Sequence, residues 1–443
     1  APVAGDVLMI AYDAVAGQIW FGKNGTWYAG NPSAGTGATV TGIDTSDKIF
    51  QFGTYSTTGQ AGMHANFGQR PFSYTPPTGF LALNTFNLPA STIPNGAVYM
   101  AATTYTGTGA TQSIVNSGNN AAARSFQPDL VWIKGRNVAS NNVLIDSVRG
   151  ASVLLSSDQT VAESSATALF SSINSNGFTV TGTSAATNQS AETLIGWQWQ
   201  AGQGTSVLNG EGSIFSTVSV NRTAGFSVVT YTGNGTAGTT IGHGLGVAPS
   251  MIIIKSRSIV GSDWEVFHKL LNGGTTPWNY ALSLNLTAAN AAYTGLNNTT
   301  PTSSQITLGF NGGVNQSAAT YVAYCWSEVA GFSKFGSYTG NGSTDGPFVY
   351  CGFRPRWVMV KYYGGTFVAD GPWVILDTSR DTYNVAGNQL LANGSGAESS
   401  AATVDLLSNG FKFRGIYQSY NSSGTNYIFA AFAENPFNTS RAR

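Results

Sequence analysis

An all-β fold of tandem β-sandwich, jelly-roll-like domains is predicted by three observations. Short apolar runs bounded by Gly, Asn, Ser and Pro fill the chain. No long segment places apolar residues at i, i+3, i+4 and i+7, so long helices are not expected. One motif returns three times at a spacing the size of a domain, not of a solenoid unit.

The first ninety residues read as a β-meander. Val7–Tyr12 is an apolar strand, Ala16-Gly17 a turn, and Gln18–Phe21 the returning strand. Asn24-Gly25 is the strongest hairpin signal, because both central residues of a type I′ turn need positive φ. The chain resumes at Thr26-Trp27-Tyr28.

Beyond residue 90 the sequence repeats itself. Tyr105-Thr106-Gly107-Thr108-Gly109 recurs as Tyr231-Thr232-Gly233-Asn234-Gly235 and as Tyr338-Thr339-Gly340-Asn341-Gly342. Each is followed by a proline, an apolar strand and a lysine: Pro128 to Lys134, Pro249 to Lys255, Pro355 to Lys361. Proline starts a strand where its missing N–H does no harm. A polar turn and a last strand close each copy, at Asn188 before Leu194, Asn315 before Tyr321, and Asn421 before Tyr427. Four domains are expected: residues 1–90, then repeats at 91–203, 204–330 and 331–443, each sandwich with its own core.

Charged residues are only 9% of the chain, against about 25% in an ordinary globular protein. Lys+Arg and Asp+Glu are 20 each, so no basic surface for nucleic acid is expected. No apolar run is long enough to span a membrane, and no basic amphipathic stretch suggests a membrane surface. The 55 glycines are not periodic, which excludes collagen, and 10 Trp, 19 Tyr and 24 Phe in strand-like runs exclude a disordered linker. Cys325 and Cys351 read as two buried thiols, with a single bridge between modules as the alternative.

Chemistry is sparse. His64, His243 and His268 show no metal-ligand spacing, and no metal, cofactor or catalytic residue is expected. There is no Gly-x-Ser-x-Gly elbow, and Gly22-Lys23-Asn24-Gly25 belongs to a hairpin, not a phosphate loop. Asp146-x-x-Arg149 recurs as Asp377-x-x-Arg380, and reads as a local ion pair or Asx-turn; His268 takes the aspartate's place in the second repeat. Glu163 and Glu398 occupy matching positions, one per repeat, so an opposed pair for glycoside hydrolysis is not evident. Aromatics beside loop-like sequence are the ligand-binding candidates: Trp278, Tyr280, Tyr362, Tyr363, Tyr417 and Tyr420, with Trp27 and Tyr28 near the start. Their flat rings can stack on sugar faces; the plainer reading is packing.

Two resemblances add to this. Gly5-Asp6-Val7, Asp13, Gly17–Trp27, Asn31-Pro32, Ala65–Phe72, Pro77–Phe80 and Leu83-Asn84-Thr85 resemble the SPRY family, in the variant seen in phage structural proteins. A SPRY sandwich has more strands before the Gly-Asp segment. The resemblance therefore implies the C-terminal half of such a sandwich, within a longer polypeptide. The three repeats, with the closing Ala433-Glu434-Asn435-Pro436-Phe437, resemble a module of phage virion proteins.

Together the resemblances imply a non-enzymatic, extracellular component of a bacteriophage virion surface. A tail fibre or receptor-binding adhesion protein is expected, presenting sandwiches to host-surface glycan or protein. The alternatives are a capsid decoration or head-fibre protein of the same particle, and a polysaccharide depolymerase. The expected partners are other virion proteins, reached through the region preceding Ala1, and further copies in a homo-oligomer.

Overall fold

The computed structural model describes residues 2–43, 62–84, 87, 91–116, 125–365, 371–400 and 403–436. The described chain is all-β, with several sheets and two single-turn α-helices. It divides into two compact units, Ala1–Pro89 and Ala90–Arg443. Thr85 and Phe437, which carry part of the resemblances, lie outside the described residues.

In the first unit β1 (Leu8–Asp13), β2 (Gln18–Lys23) and β3 (Thr26–Trp27) form the expected antiparallel meander. Asn24 and Gly25 turn it with φ of 50° and 86°. Asp6 braces the turn, taking the Lys23 ammonium at 2.8 Å and the Asn24 amide at 2.7 Å. The Lys23 hydrogen bond, with those from Val3 and Asn24, holds the Asp6 carboxyl well below the usual range. Buried Trp20 packs edge-on against Phe80 at 5.9 Å, while Leu8 and Ile10 on the other face stay exposed. Among the described residues no second sheet of the expected sandwich covers that face.

The second unit holds the three repeats. Repeat 1 runs through β4 (Met100–Thr106), β5 (Gln112–Val115), β6 (Leu130–Gly135), β7 (Val143–Asp146), β8 (Val153–Leu154), β9 (Ser164–Ser165), β10 (Phe170–Asn174), β11 (Gly177–Val180) and β12 (Thr193–Trp199). Its main sheet has the order β4-β12-β6-β7, faced by β10-β11-β5.

Repeat 2 begins with a hairpin, β13 (Val207–Asn209) and β14 (Ser216–Asn221). Then follow β15 (Phe226–Thr232), β16 (Thr239–Gly242), β17 (Met251–Ser256), β18 (Trp264–His268), β19 (Tyr280–Ser283), β20 (Ala291–Ala292), β21 (Gln305–Leu308), α1 (Gly312–Asn315) and β22 (Thr320–Trp326). Repeat 3 has β23 (Ser333–Thr339), β24 (Phe348–Tyr350), β25 (Phe353–Gly365), β26 (Val374–Asp377), β27 (Leu390–Leu391), β28 (Val404–Leu407), β29 (Gly410–Phe413), α2 (Gln418–Asn421) and β30 (Thr425–Pro436). The same four-strand order recurs as β15-β22-β17-β18 and β23-β30-β25-β26.

The repeated motif is a lock between the first strand and the closing turn. Asn188, Asn315 and Asn421 are fully buried. Their side-chain oxygens accept the N–H of Thr108, Asn234 and Asn341 at 3.0–3.1 Å. Their amides donate to carbonyls on both sides of the turn, such as Thr236 and Gly309 in repeat 2. Tyr105, Tyr231 and Tyr338 each donate a hydroxyl to a carbonyl of that turn at 2.7 Å. Glycine is required at 233 because a Cβ there would lie 2.5 Å from the Gln316 carbonyl oxygen.

The expectation that each repeat encloses its own separate core is corrected. Ile195, Trp197 and Trp199 of repeat 1, Val322, Tyr324 and Trp326 of repeat 2, and Trp357 and Phe432 of repeat 3 belong to one shared core. Trp199 stands at its centre, against Trp326, Trp357 and Phe432 at 6.3, 5.4 and 5.8 Å. The pleat explains this, since alternate residues of a strand point to opposite faces. Leu194 of β12, and Tyr321, Ala323 and Cys325 of β22, turn instead to cores private to repeats 1 and 2. Every main sheet is therefore apolar on both sides. Cys325 and Cys351 are free and buried, and burial pushes the Cys325 thiol up to about 12.

Asn315→Ala removes three hydrogen bonds and leaves their main-chain partners buried. It is expected to destabilise the second unit by about 3 kcal/mol in urea denaturation, with the m-value unchanged.

Candidate functional site

The ionisable residues that recur between repeats meet where one repeat joins the next. Each joint uses the same positions. A lysine of the second sheet strand sends its ammonium into a loop of its own repeat. Lys134 reaches the Ser140 carbonyl, Lys255 that of Ser262 at 2.7 Å, and Lys361 that of Gly371 at 2.5 Å. Lys255 also reaches Thr160 of repeat 1 at 3.4 Å, and Lys361 reaches Thr287 of repeat 2 at 2.6 Å. Burial pulls the ammonium groups of Lys134 and Lys255 down to about 8.

The next strand makes a second hand-off. Trp264 donates its indole N–H to Ser156 of repeat 1, and Trp373 donates to Ser283 of repeat 2. At the matching position Asn142 donates to Leu391 and Gly394 of repeat 3. Repeat 2 thus grips repeat 1, repeat 3 grips repeat 2, and repeat 1 grips repeat 3. The ring is closed.

Two joints carry chains of charge. In one, Asp146 pairs with Arg149 at 2.5 Å, Arg149 with Glu163 at 3.1 Å, and Glu163 with Arg257 of repeat 2 at 2.9 Å. In another, Asp377 pairs with Arg380 at 2.6 Å, Arg380 with Glu398 at 3.1 Å, and Glu398 with Arg136 of repeat 1 at 2.9 Å. Burial alone would raise the Glu163 carboxyl; Arg257 and Arg149 outweigh it and hold it below its ordinary value. Both expected local motifs are present, since Asp146 and Asp377 also accept the main-chain N–H of residues two and three further on. Glu163 and Glu398, the candidate acids, are clamped ligands of arginine.

Among the described residues the third joint has no such chain of charges. Asn290 donates its N–H to the Tyr363 carbonyl at 3.2 Å, as Glu163 does to Arg257 and Glu398 to Arg136. His268 and Leu271 stand where the other joints have Asp and Arg. His268 is fully buried, and its Nδ1 accepts the Leu270 N–H at 3.2 Å. Burial, reinforced by the nearby Lys269, pulls the imidazole down to about 3.

The aromatic candidates are mostly internal, which corrects their reading as sugar-stacking rings in favour of the plainer one, packing. Trp278, Tyr362, Tyr363 and Tyr420 are buried, and Tyr280 is half-buried. A ring packed on both faces offers none to a sugar. Only Tyr417 of the six is exposed, at 47%. Trp27 is half-buried and Tyr28 exposed. Other exposed rings were not singled out from the sequence: Phe215, Phe310, Phe348, Tyr350 and Tyr383. The signal for two of them lay in Phe348-Val349-Tyr350, whose alternation sets only the middle residue inward.

One acid departs from the pattern. Glu265 of β18 replaces Val143 and Val374 of the other repeats. It is nearly buried and shares with Asp263 a hollow of about 270 Å³. Burial raises its carboxyl to about 7. Among the described residues no three His, Cys, Asp or Glu side chains cluster as metal ligands. No helix among them is long and apolar enough to cross a membrane.

No curated protein and no solved structure matches the chain. Residues 95–436 match the family model described as Domain of unknown function (DUF7483), and the chain belongs to that family.

Two outcomes test the joints. Arg136→Ala removes one of the two cations holding Glu398, and is expected to cost about 1–2 kcal/mol in denaturant unfolding. The second concerns acid. Unfolded His268 gains a proton below pH 6.5, while the folded imidazole stays neutral to about 3. The unfolded state binds more protons in that window, so stability falls as pH drops from 6.5 towards 3. The slope from this group is at most about 1.4 kcal/mol per pH unit. His268→Asn keeps an acceptor for Leu270 and should flatten that slope in melts between pH 6.5 and 4.5.

Proposed function

We propose that this DUF7483 member is a structural protein of a bacteriophage virion surface, a tail fibre or receptor-binding adhesion protein. In this reading the ring of repeats is a rigid body that presents its outer loops to host-surface glycan or protein. The observation that carries the reading is where the charge goes. The recurring Asp, Glu, Arg and Lys residues hold the joints together, in a chain with only 20 Lys+Arg and 20 Asp+Glu in 443 residues. What remains outside is dominated by Ser, Thr, Asn and Gly, a surface suited to display. The resemblance of the repeats to modules of phage particles supports the same reading. A capsid decoration or head-fibre protein would have the same body and differ in its attachment.

A depolymerase is the second reading, favoured by the two acids Asp263 and Glu265 at one hollow, the latter with its carboxyl raised to about 7. It predicts that the purified chain releases reducing ends from host capsule and that Glu265→Gln stops the release.

Immunogold labelling of purified particles tests the leading reading. Gold on the particle is expected, at fibre tips for an adhesion protein and over the capsid for a decoration protein. Absence of the chain from purified particles would overturn it.

A further inference from the structure

The three repeats treat one sheet edge in three ways. The edge belongs to the strand carrying the Tyr-Thr-Gly motif. In repeat 2 it is β15, and the hairpin strand β14 covers it in antiparallel register, with Thr217 opposite Thr230 and Val218 opposite Val229. In repeat 1 it is β4, where Ser379 of repeat 3 donates to the Ala102 carbonyl and Gln112 donates to that of Thr106. In repeat 3 it is β23, which among the described residues pairs only with β30.

The direction of the open groups follows from strand alternation. Gly340 N–H donates inward to Thr425, so Phe335, Ser337 and Thr339 point their main-chain groups outward. Glu328 caps the Phe335 N–H at 3.3 Å. Ser337 and Thr339 are exposed. An open strand edge is a template for another strand unless charge, proline or a cover blocks it.

This edge also borders a groove of about 410 Å³. Gly336 and Phe429 contribute to its lining, and Phe348 and Tyr350 line it at 45% and 51% exposure. Their strand, β24, is itself the edge of the facing sheet β24-β29-β28. At one end Lys269 and Lys334 share a single carboxylate, Glu328, at 2.6 and 2.8 Å. That end keeps one positive charge in excess.

We propose that the β23 edge of repeat 3 is a docking site for an extended segment of a different polypeptide, added as an antiparallel strand in the place β14 takes in repeat 2. The repeat 2 register sets the pattern. The residue opposite Gly336 is apolar and packs on Phe429 and Tyr350. The residue two further on, opposite Lys334, is acidic. The proposal does not depend on the particle reading, because the geometry asks only for a peptide strand.

The probe is a capped hexapeptide of residues 215–220 carrying Val220→Glu, compared with the unchanged hexapeptide. It is titrated into the isotope-labelled full chain by NMR. Shifts at the Ser337 and Thr339 amides are expected, with a Kd of about 0.1–1 mM and roughly fivefold tighter binding of the acidic peptide. Phe348→Ala and Tyr350→Ala change exposed side chains and should each weaken it about fivefold. Lys334→Gln should remove the preference for the acidic peptide and leave the unchanged one bound. No shift at about 2 mM peptide, or shifts that avoid β23, overturns the proposal. So does a preference that survives Lys334→Gln. Self-association in sedimentation that Tyr350→Ala abolishes would assign the edge to a second copy and overturn it as well.

Discussion

A ring of three unlike repeats closes only if the gripping side of each fits the receiving side of the next. Here the gripping side is one constant piece of backbone. In repeats 2 and 3 a lysine of the second sheet strand and a tryptophan at the start of the third both reach across the joint. Lys255 with Trp264 and Lys361 with Trp373 show the arrangement twice, and Asn142 fills the tryptophan's place in repeat 1. Because each donor is buried and each acceptor is a main-chain carbonyl, the contact fixes register without requiring a particular side chain on the receiving loop. That lets the receiving loops differ while the ring stays closed.

The shared core follows from the same closure. Three main sheets that turn one face inward bury a second layer of large residues, so their strands lose the alternation of a half-exposed sheet. The strand Leu130–Gly135 is buried at every position, and so is Met251–Ser256. The chain can afford so few charges on its outside only because these faces are covered within one body.

The strands, the N-terminal hairpin and the repeat landmarks were legible because their causes are local. Asn24-Gly25 can only turn, and Gly107, Gly233 and Gly340 sit against carbonyls that a methyl group would strike. The ring was not legible. A run such as Leu130-Val131-Trp132-Ile133 reads equally as a strand in a private sandwich or as one with two buried faces. The same ambiguity misplaced the aromatics: Tyr362 and Tyr363 follow Lys361 near loop-like sequence, yet β25 continues through them into the core. Glu163 and Glu398 were noticed for their matching positions, but their arginine partners lie in other repeats, at distances in sequence that no motif reports.

Differences between the repeats are more informative than their likeness. Repeat 2 lacks the Asp–Arg–Glu chain at its receiving side, and His268, Leu271 and Asn290 fill those places. Among the described residues the third joint is therefore held by Lys361, Trp373, main-chain hydrogen bonds such as Asn290 to Tyr363, and packing. Repeat 2 also has the β13–β14 hairpin, which covers an edge that repeat 3 leaves open among the described residues. Covering an edge is what a monomeric sheet needs, so an edge left bare beside exposed rings and an unbalanced lysine pair calls for a separate reason. Stability of the ring does not supply one, since β23 is already fixed by β30 along its length and by the Tyr338 lock at its end. Recognition does: the same main-chain groups that would be a liability on an unvisited surface are the part of a strand-binding site that needs no side chain at all.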